Sequence, residues 1–288
     1  LRKYQETGHA FLLRCTELGF GACLADDMGL GKTIQTIAWF LSLKERNPDL
    51  SPALIICPMS VVGNWEREIR RFAPSLSVWV HHGTSRCRGD DFTDLISRYD
   101  LILTTYNLAA RDFEDLAPVI WSAIVLDEAQ NIKNPDTLQS QAVRQLNAER
   151  RIALTGTPVE NRLLELWSIM DFLNPGYLGQ RHAFQSRYGH LSGTEKDRHG
   201  TTELRLLIRP FLLRRMKTDR KVITDLPDKM ESRVFCTLTR EQATLYQAVV
   251  SDMAQSLETV TGLARRGVIF RTITRLKQIC DHPGLFIH

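Results

Sequence analysis

The chain has 288 residues, 43% of them hydrophobic and 24% charged, with a formal net charge of +4. That length suits one large α/β unit with attachments, and the apolar fraction is enough for a sizeable core. No apolar run approaches the roughly 18 residues of a membrane-crossing helix, no basic-then-apolar leader stands at the start, and the six cysteines (15, 23, 57, 87, 236, 280) show neither C-x-x-C nor zinc-ligand spacing, so a reduced intracellular protein without a membrane partner is expected.

From residue 20 to about 160, short apolar runs alternate with helical patterns. The runs are GACLA (21–25), ALIIC (53–57), LSVWV (76–80), LILTT (101–105), SAIVL (122–126) and RIALT (151–155). They are continuously apolar, as strands buried on both faces are. Between the first two, Ile34, Ile37, Ala38 and Leu41 share one helical stripe; Trp65, Ile69 and Phe72 mark a second in NWEREIRRF (64–72). Alternating strand and helix predicts a mainly parallel α/β sheet flanked by helices. After Pro158 the period is helical. LLELWSIMDFL (163–173) stops at Asn174-Pro175-Gly176, 189–202 is a polar loop, ELRLLIRPFLLRRMKTD (203–219) is a helix interrupted by Pro210, and ITDLPDK (223–229) is a connector. Thr239 and Gln242 form a T-x-x-Q capping box for a helix reaching about Val260, and a last helix covers 268–280. The expected division is a sheet domain at 1–175 and a helical protrusion at 176–288.

Charge is unevenly spread. Arg205–Lys221 holds seven basic residues against Asp219 alone, and Thr261–Cys280 holds five with no acid. Either these are solvated faces or they form a polyanion track.

Two motifs carry chemistry. In LADDMGLGKTIQTI (24–37), a strand and a helix flank Gly31-Lys32-Thr33, the context of a phosphate loop rather than a chance Gly-Lys-Thr. Unpaired N–H groups from about Asp27 to Thr33, through Met28, Gly29, Leu30 and Gly31, would cradle phosphate oxygens. Lys32 would meet the β and γ phosphates and Thr33 a Mg2+ ion. Asp26 stands where the pattern wants its first glycine, and its side chain is expected to turn away toward a basic partner or a helix N-terminus. In AIVLDEAQ (123–130), a buried strand ends in Asp127 and Glu128, expected on a strand neighbouring that of the loop; Asp127 suits the metal and Glu128 the attacking water. No N-K-x-D base-reading motif is present, which argues against a GTPase.

DEAQ resembles the Walker B box of superfamily-two helicases, and the fuller set resembles their SWI/SNF-type branch of double-stranded DNA translocases. The matching stretches, in order, are LRKYQETG (1–8), LADDMGLGKTIQ (24–35), ICPMSVVGNWEREI (56–69), YDLILTTY (99–106), DEAQNIKNP (127–135), ALTGTPVENRLLELWSIMDFLNP (153–175), FLLRRMKTD (211–219), LPDK (226–229) and RLKQICDHPG (275–284). The branch commonly has an acid at the position of Asp26. The resemblance implies the first RecA-like lobe of a DNA-dependent ATPase, with Gln5 on adenine and Mg2+ and ATP as cofactors. Thr155, Gly156 and Thr157 would couple the nucleotide site to DNA. Ser60, Asn64, Thr105, Arg214 and Arg215 are expected at the DNA backbone, while Trp65, Trp167 and Phe172 are expected in the core. Expected partners are double-stranded DNA, a second RecA-like lobe of the same parent chain, and a protein–DNA complex as target.

Two departures stand out. Gln130 replaces a histidine usual in relatives, so a changed coupling contact is expected, with hydrolysis retained because an amide both donates and accepts. No second α/β set or Q-x-x-D-R-x-x-R arginine motif follows, and the chain begins at Leu1; a piece of a longer protein with weak ATPase on its own is expected. The competing reading is a nucleotide-gated binding module in which hydrolysis is dispensable.

Overall fold

The computed structural model describes residues 1–84, 86–156, 163–189, 198–219, 234–259 and 261–287. Two compact units result, Leu1–Leu226 and Pro227–His288. The first is built on a seven-stranded, all-parallel sheet: β1 Ala22–Leu24, β2 Ala53–Cys57, β3 Val78–Val80, β4 Leu101–Thr105, β5 Ala123–Leu126, β6 Arg151–Leu154 and β7 Leu212–Leu213, ordered β3-β4-β2-β5-β6-β1-β7. The loop's strand β1 and the Asp127 strand β5 are therefore not neighbours; β6 lies between them.

Period-2 side-chain alternation explains why the runs are apolar throughout. Ala53, Ile55 and Cys57 of β2 enter a core shared with Leu12, Trp39 and Trp65. Leu54 and Ile56 enter the opposite core with Trp167, Met170 and Phe172. The first core is covered by α1 Lys3–Glu17, α2 Lys32–Arg46 and α3 Met59–Phe72. Toward the second lie α4 Asp90–Ile96, α5 Tyr106–Arg111, α6 Phe113–Leu116, α7 Leu138–Gln145, α8 Leu163–Leu173 and α9 Arg181–Tyr188. Helix α8 ends at Leu173, where its sequence predicts. Its stop is a clamp: buried Asn174 accepts from Gly21 N–H at 2.9 Å and donates to Gly21 C=O at 3.3 Å. Gly21 has no room for a side chain, because a Cβ there would collide with the Leu173 carbonyl.

Three expectations change. The 203–219 segment is not one interrupted helix: α10 Arg198–Ile208 gives way to a 3-10 turn at Arg209–Phe211 and then to β7. Pro210 lacks the N–H that a continuing helix needs, and the released chain pairs in parallel with β1. Helix α10 also begins inside the stretch expected to be a loop; the rest of that loop (190–197), Thr157 and the whole of 223–229 lie outside the described residues. β7 pairs with β1 at Leu212 and Leu213, so the sheet takes in chain beyond residue 175.

The second unit holds α11 Arg240–Thr259, α12 Gly262–Asp281 and α13 Gly284–Ile287. The capping box is present, with Thr239 N–H to Gln242 Oε1 at 2.9 Å and Gln242 N–H to Thr239 Oγ1 at 3.2 Å. Gln242 Nε2 also meets the carbonyls of Ile279 and Cys280, both at 3.0 Å, and so stitches the start of α11 to the end of α12.

Beyond β3, His81 is fully buried, with Nε2 3.0 Å from Asp112 Oδ2 and no partner for Nδ1 among the described residues. Burial, followed by the charge of Arg86, pushes its pKa from 6.5 down to about 4. Asp112 does not reverse this because Arg86 and Arg88 already hold its carboxylate.

Two outcomes are expected in urea denaturation. Asn174→Ala strands a buried N–H and C=O and lowers unfolding free energy by about 1–3 kcal/mol. His81 is neutral when folded, so its contribution is whole above pH 6.5 and declines as pH falls toward 4, by about 2 kcal/mol between pH 7 and 5. A His81→Gln variant should lack that decline.

Candidate nucleotide site

The sheet's C-terminal edge collects the motifs. The 25–31 loop follows β1, Thr155 follows β6, Asp127 follows β5, and Arg215 follows β7. A crevice outside the carboxyl ends of parallel strands is where open α/β sheets bind ligands.

Gly29 and Gly31 adopt φ of 82° and 76°, values that glycine reaches without a Cβ penalty. Gly31 also makes room for Gln5, whose Nε2 would lie 2.6 Å from an added Cβ. Gln5 donates to the Leu30 carbonyl at 3.3 Å and accepts from Arg2 N–H at 2.9 Å. The Leu30 carbonyl also accepts from Gln35, while the Leu30 side chain is buried against Tyr4. The N–H groups of Met28, Gly29, Gly31, Lys32 and Thr33 have no acceptor among the described residues. Those of Asp27 and Leu30 do: Asp27 N–H meets the Arg215 carbonyl at 3.0 Å and Leu30 N–H the Asp27 carbonyl at 3.3 Å. The cradle is thus narrower than the expected Asp27–Thr33 span. Lys32 Nζ rests 2.7 Å from the Asp26 carbonyl at the loop's own mouth.

Asp26 is fully buried and turned to a basic partner. Its carboxylate accepts from Arg215 Nε at 2.9 Å, from Arg215 N–H at 3.1 Å and from Arg215 Nη2. The guanidinium also donates to the Tyr4 carbonyl and, at 2.7 Å, to Gln35 Oε1. Arg215 is only 6% exposed. The expectation that it contacts DNA is corrected: it is buried, and all three of its guanidinium nitrogens donate inside the protein. The same strap binds Asp27, whose Oδ2 accepts from Lys217 N–H at 2.9 Å, and brings Lys217 Nζ within 3.0 Å of where a Gly29 Cβ would stand.

At the end of β5, Asp127 Oδ2 accepts from the Trp65 indole at 2.8 Å and Oδ1 from Glu128 N–H at 2.9 Å. Burial is the main influence on this carboxyl and raises its pKa; the Trp65 bond opposes it. Glu128 has φ 51° and ψ 56°, the one positive φ among described non-glycine residues. That strain, of order 1–3 kcal/mol, is held by Tyr106 Oη on the Asp127 carbonyl and Asn131 Nδ2 on the Glu128 carbonyl, both at 2.7 Å. Burial first, and then Asp127, drives the Tyr106 pKa well up, so its hydroxyl remains a donor. Gln130 Nε2 donates to Glu128 Oε2 at 2.7 Å, and its Oε1 accepts from Thr155 Oγ1 at 2.9 Å. The amide therefore joins the acid to the strand after it. Gly156 lies beside Met28, whose Cγ would be 3.3 Å from a Cβ added at position 156.

The remaining predicted residues separate. Ser60, Asn64 and Arg214 are exposed; Asn64 donates to Glu68 at 2.8 Å. Thr105 is 7% exposed and its hydroxyl oxygen caps α5 by accepting from Leu108 N–H, so it is buried rather than presented to DNA as expected. Trp167 and Phe172 are core residues as expected. Sequence reasoning missed Trp65 and Tyr106 as supports of Asp127. The signal for Trp65 was available, since a buried indole N–H needs an acceptor that an apolar stripe cannot supply.

A Thr33 hydroxyl, an Asp127 carboxylate and phosphate oxygens form a hard-oxygen donor set that fits Mg2+. Free N–H groups at the start of α2 with Lys32 fit a polyphosphate. The residues present thus suit a Mg2+-nucleotide.

The model for the SNF2-related domain matches residues 4–285. A candidate ATP-dependent helicase/translocase of Bacillus subtilis (strain 168), YwqA, is 52% identical over 287 residues, covering 100% of this chain and 31% of that protein. Chromodomain-helicase-DNA-binding protein 1-like of Mus musculus is 36% identical over 290 residues, covering 99% and 31%. The Sulfolobus solfataricus SWI2/SNF2 ATPase core in complex with dsDNA is 49% identical with a TM-score of 0.72, covering 99% of this chain and 59% of that one. The chain spans about a third of the length of these curated relatives.

Removing the strap's cation should be costly. Arg215→Met leaves the Asp26 carboxyl buried without its cation, and is expected to lose about 3–5 kcal/mol of stability. Combining it with Asp26→Gly should recover part of that loss in a double-mutant cycle by urea denaturation. Asp26→Gly alone should not tighten ATP binding, because the carboxylate points away from the cradle.

Proposed function

The chain belongs to the SNF2-related domain family, and from that membership we propose that it is the ATP-binding half of an ATP-driven translocase of double-stranded DNA. The observation that carries this reading is the joined set Asp127, Glu128, Gln130 and Thr155 facing a phosphate-loop cradle across β6. A module that only bound nucleotide would have no use for a strained, hydrogen-bonded Glu128.

Each residue has a task. The free N–H groups of the loop and Lys32 hold the phosphates, and Gln5 meets the adenine. Lys32 leaves the Asp26 carbonyl when a phosphate offers a stronger, charged acceptor. Thr33 and Asp127 would hold Mg2+, which when bound neutralises charge on the β and γ phosphates. Glu128 orients the attacking water and accepts its proton. Gln130 holds Glu128 with one end of its amide and Thr155 with the other, so displacement of the β6 loop reaches the water-orienting carboxylate directly. Replacement of histidine by Gln130 thus preserves a coupling contact.

The object acted on is double-stranded DNA within a protein–DNA complex inside the cell. Ser60, Asn64 and Arg214 are exposed for backbone contact, and Lys/Arg contacts to phosphate suit a motor that must pass over any sequence. A second RecA-like lobe of the same parent chain supplies arginine fingers. Such a finger is worth about 10³-fold or more in rate, so this chain alone hydrolyses ATP slowly.

The deciding experiment uses the full-length parent. Glu128→Gln should abolish DNA-stimulated ATPase, by about 10²-fold or more, as loss of a positioned general base does, while ATP still binds. Unchanged turnover would leave the nucleotide-gated binding module as the better reading. Triplex displacement without unwinding of a forked duplex should distinguish translocation from strand separation.

A further inference from the structure

Helix α3 has two faces of different chemistry. Ser60, Asn64, Arg67 and Arg71 are exposed and spaced four, three and four residues apart, which makes one outward stripe. The stripe borders a cleft of about 320 Å3 that reaches Ile34, next to Thr33 in the first turn of α2. Glu68 lies in the same cleft and is bonded to Asn64, so the face is basic without being purely so. The inward face buries Val62, Trp65 and Ile69.

Trp65 is where the inward face stops being only apolar. Its side chain is 1% exposed, and its N–H reaches Asp127 Oδ2 at 2.8 Å. Phenylalanine or leucine would fill a core position; the indole adds one directed bond, and it is aimed at a carboxylate 62 residues away. Oδ1 is fixed by Glu128 N–H and the Asp127 carbonyl by Tyr106. Oδ2 therefore has its orientation set from α3 and not from its own strand.

We propose that Trp65 is a positioning residue for Asp127, and that through it α3 links a polyanion on the Ser60–Asn64–Arg67–Arg71 face to the Mg2+-nucleotide site. This rests on the reading of the chain as a DNA-driven ATPase. The indole is rigid, with two side-chain torsions, and α3 is one element. A shift of α3 by about an ångström carries Trp65 Nε1 past hydrogen-bonding distance of Oδ2. The carboxylate then turns, or follows the helix. Either way, occupation of the outer face changes the group that holds the metal, with no need for a longer chain of contacts.

The test is Trp65→Phe in the full-length protein, with benzothienylalanine at position 65 as a second variant that keeps the two-ring shape and lacks only the N–H. A fluorescent ADP analogue is bound with and without Mg2+, and ATPase is measured with and without duplex DNA. Binding without Mg2+ and duplex affinity should be unchanged. The Mg2+ concentration for half-maximal tightening should rise about tenfold, as when the hydrogen-bond partner of a metal ligand is removed. The ratio of DNA-stimulated to basal turnover should fall. An unchanged Mg2+ requirement, or an equal loss with and without Mg2+ accompanied by lower urea stability, would overturn the positioning role. A raised Mg2+ requirement with an unchanged stimulation ratio would overturn the link through α3. If the unaltered protein shows no stimulation by DNA, the motor reading fails, while the Mg2+ measurement still decides the role of Trp65 at Asp127.

Discussion

The Asp26 side chain is fully buried, and Arg215 is its ion-pair partner there. Taking a carboxylate and a guanidinium out of water costs several kcal/mol for each, and their attraction repays this only when the remaining donors and acceptors are filled. Here both carboxylate oxygens accept and all three guanidinium nitrogens donate. Asp26 accepts from the Arg215 side chain and backbone, and the guanidinium's other hydrogens reach Tyr4 and Gln35. One pair thus ties together the first helix, the phosphate loop, α2 and a segment almost 190 residues further on. It also accounts for β7, a two-residue strand too short to hold itself at a sheet edge. The pair fixes its end, and Ala25 N–H and Asp27 N–H bond to the Leu213 and Arg215 carbonyls on either side of it.

A phosphate loop normally opens on a glycine, which has no side chain to accommodate. This one opens on an acid and sends the side chain down, away from the cradle, into a site built for it. The strap takes up the Asp27 N–H as well, and the cradle is left to Met28, Gly29 and Gly31–Thr33. The geometry near the phosphates is thus set partly by residues far outside the loop. Stability and nucleotide geometry share a determinant at Arg215, whose position among basic residues makes it resemble a surface contact.

The strands and the position of the Asp-Glu pair at a strand's end were legible because both rest on local chemistry. Runs such as ALIIC and AIVL are apolar at every position because alternate residues feed two cores, and that pattern survives without any knowledge of neighbours. Asn174-Pro175-Gly176 ended α8 where expected, although its function as a clamp on Gly21 is a tertiary fact. What was not legible depended on partners distant in sequence. FLLRRMKTD looks helical and basic by composition; its conversion to a strand and a buried cation follows from β1 and Asp26, which no local window contains. Thr105 reads as a surface loop residue; α5 begins immediately after it, buries it and uses its hydroxyl oxygen as a cap. Trp65 fell on an apolar stripe and was assigned to packing, which is correct for its ring and silent about its N–H.

Glu128 shows how these constraints meet. A non-glycine residue at φ 51° persists only where its surroundings over-determine it. Its N–H is held by Asp127, its carbonyl by Asn131, the preceding carbonyl by Tyr106, and its carboxylate by Gln130. Asp127 in turn is held by Trp65. The Asp-Glu pair is thus held from several elements: β2 through the Ile56 carbonyl on Asp127 N–H, α3 through Trp65, α5 through Tyr106, the turn after β5 through Gln130 and Asn131, and the end of β6 through Thr155 behind Gln130. A site assembled this way is rigid while those elements keep their places, and it responds when any one of them shifts.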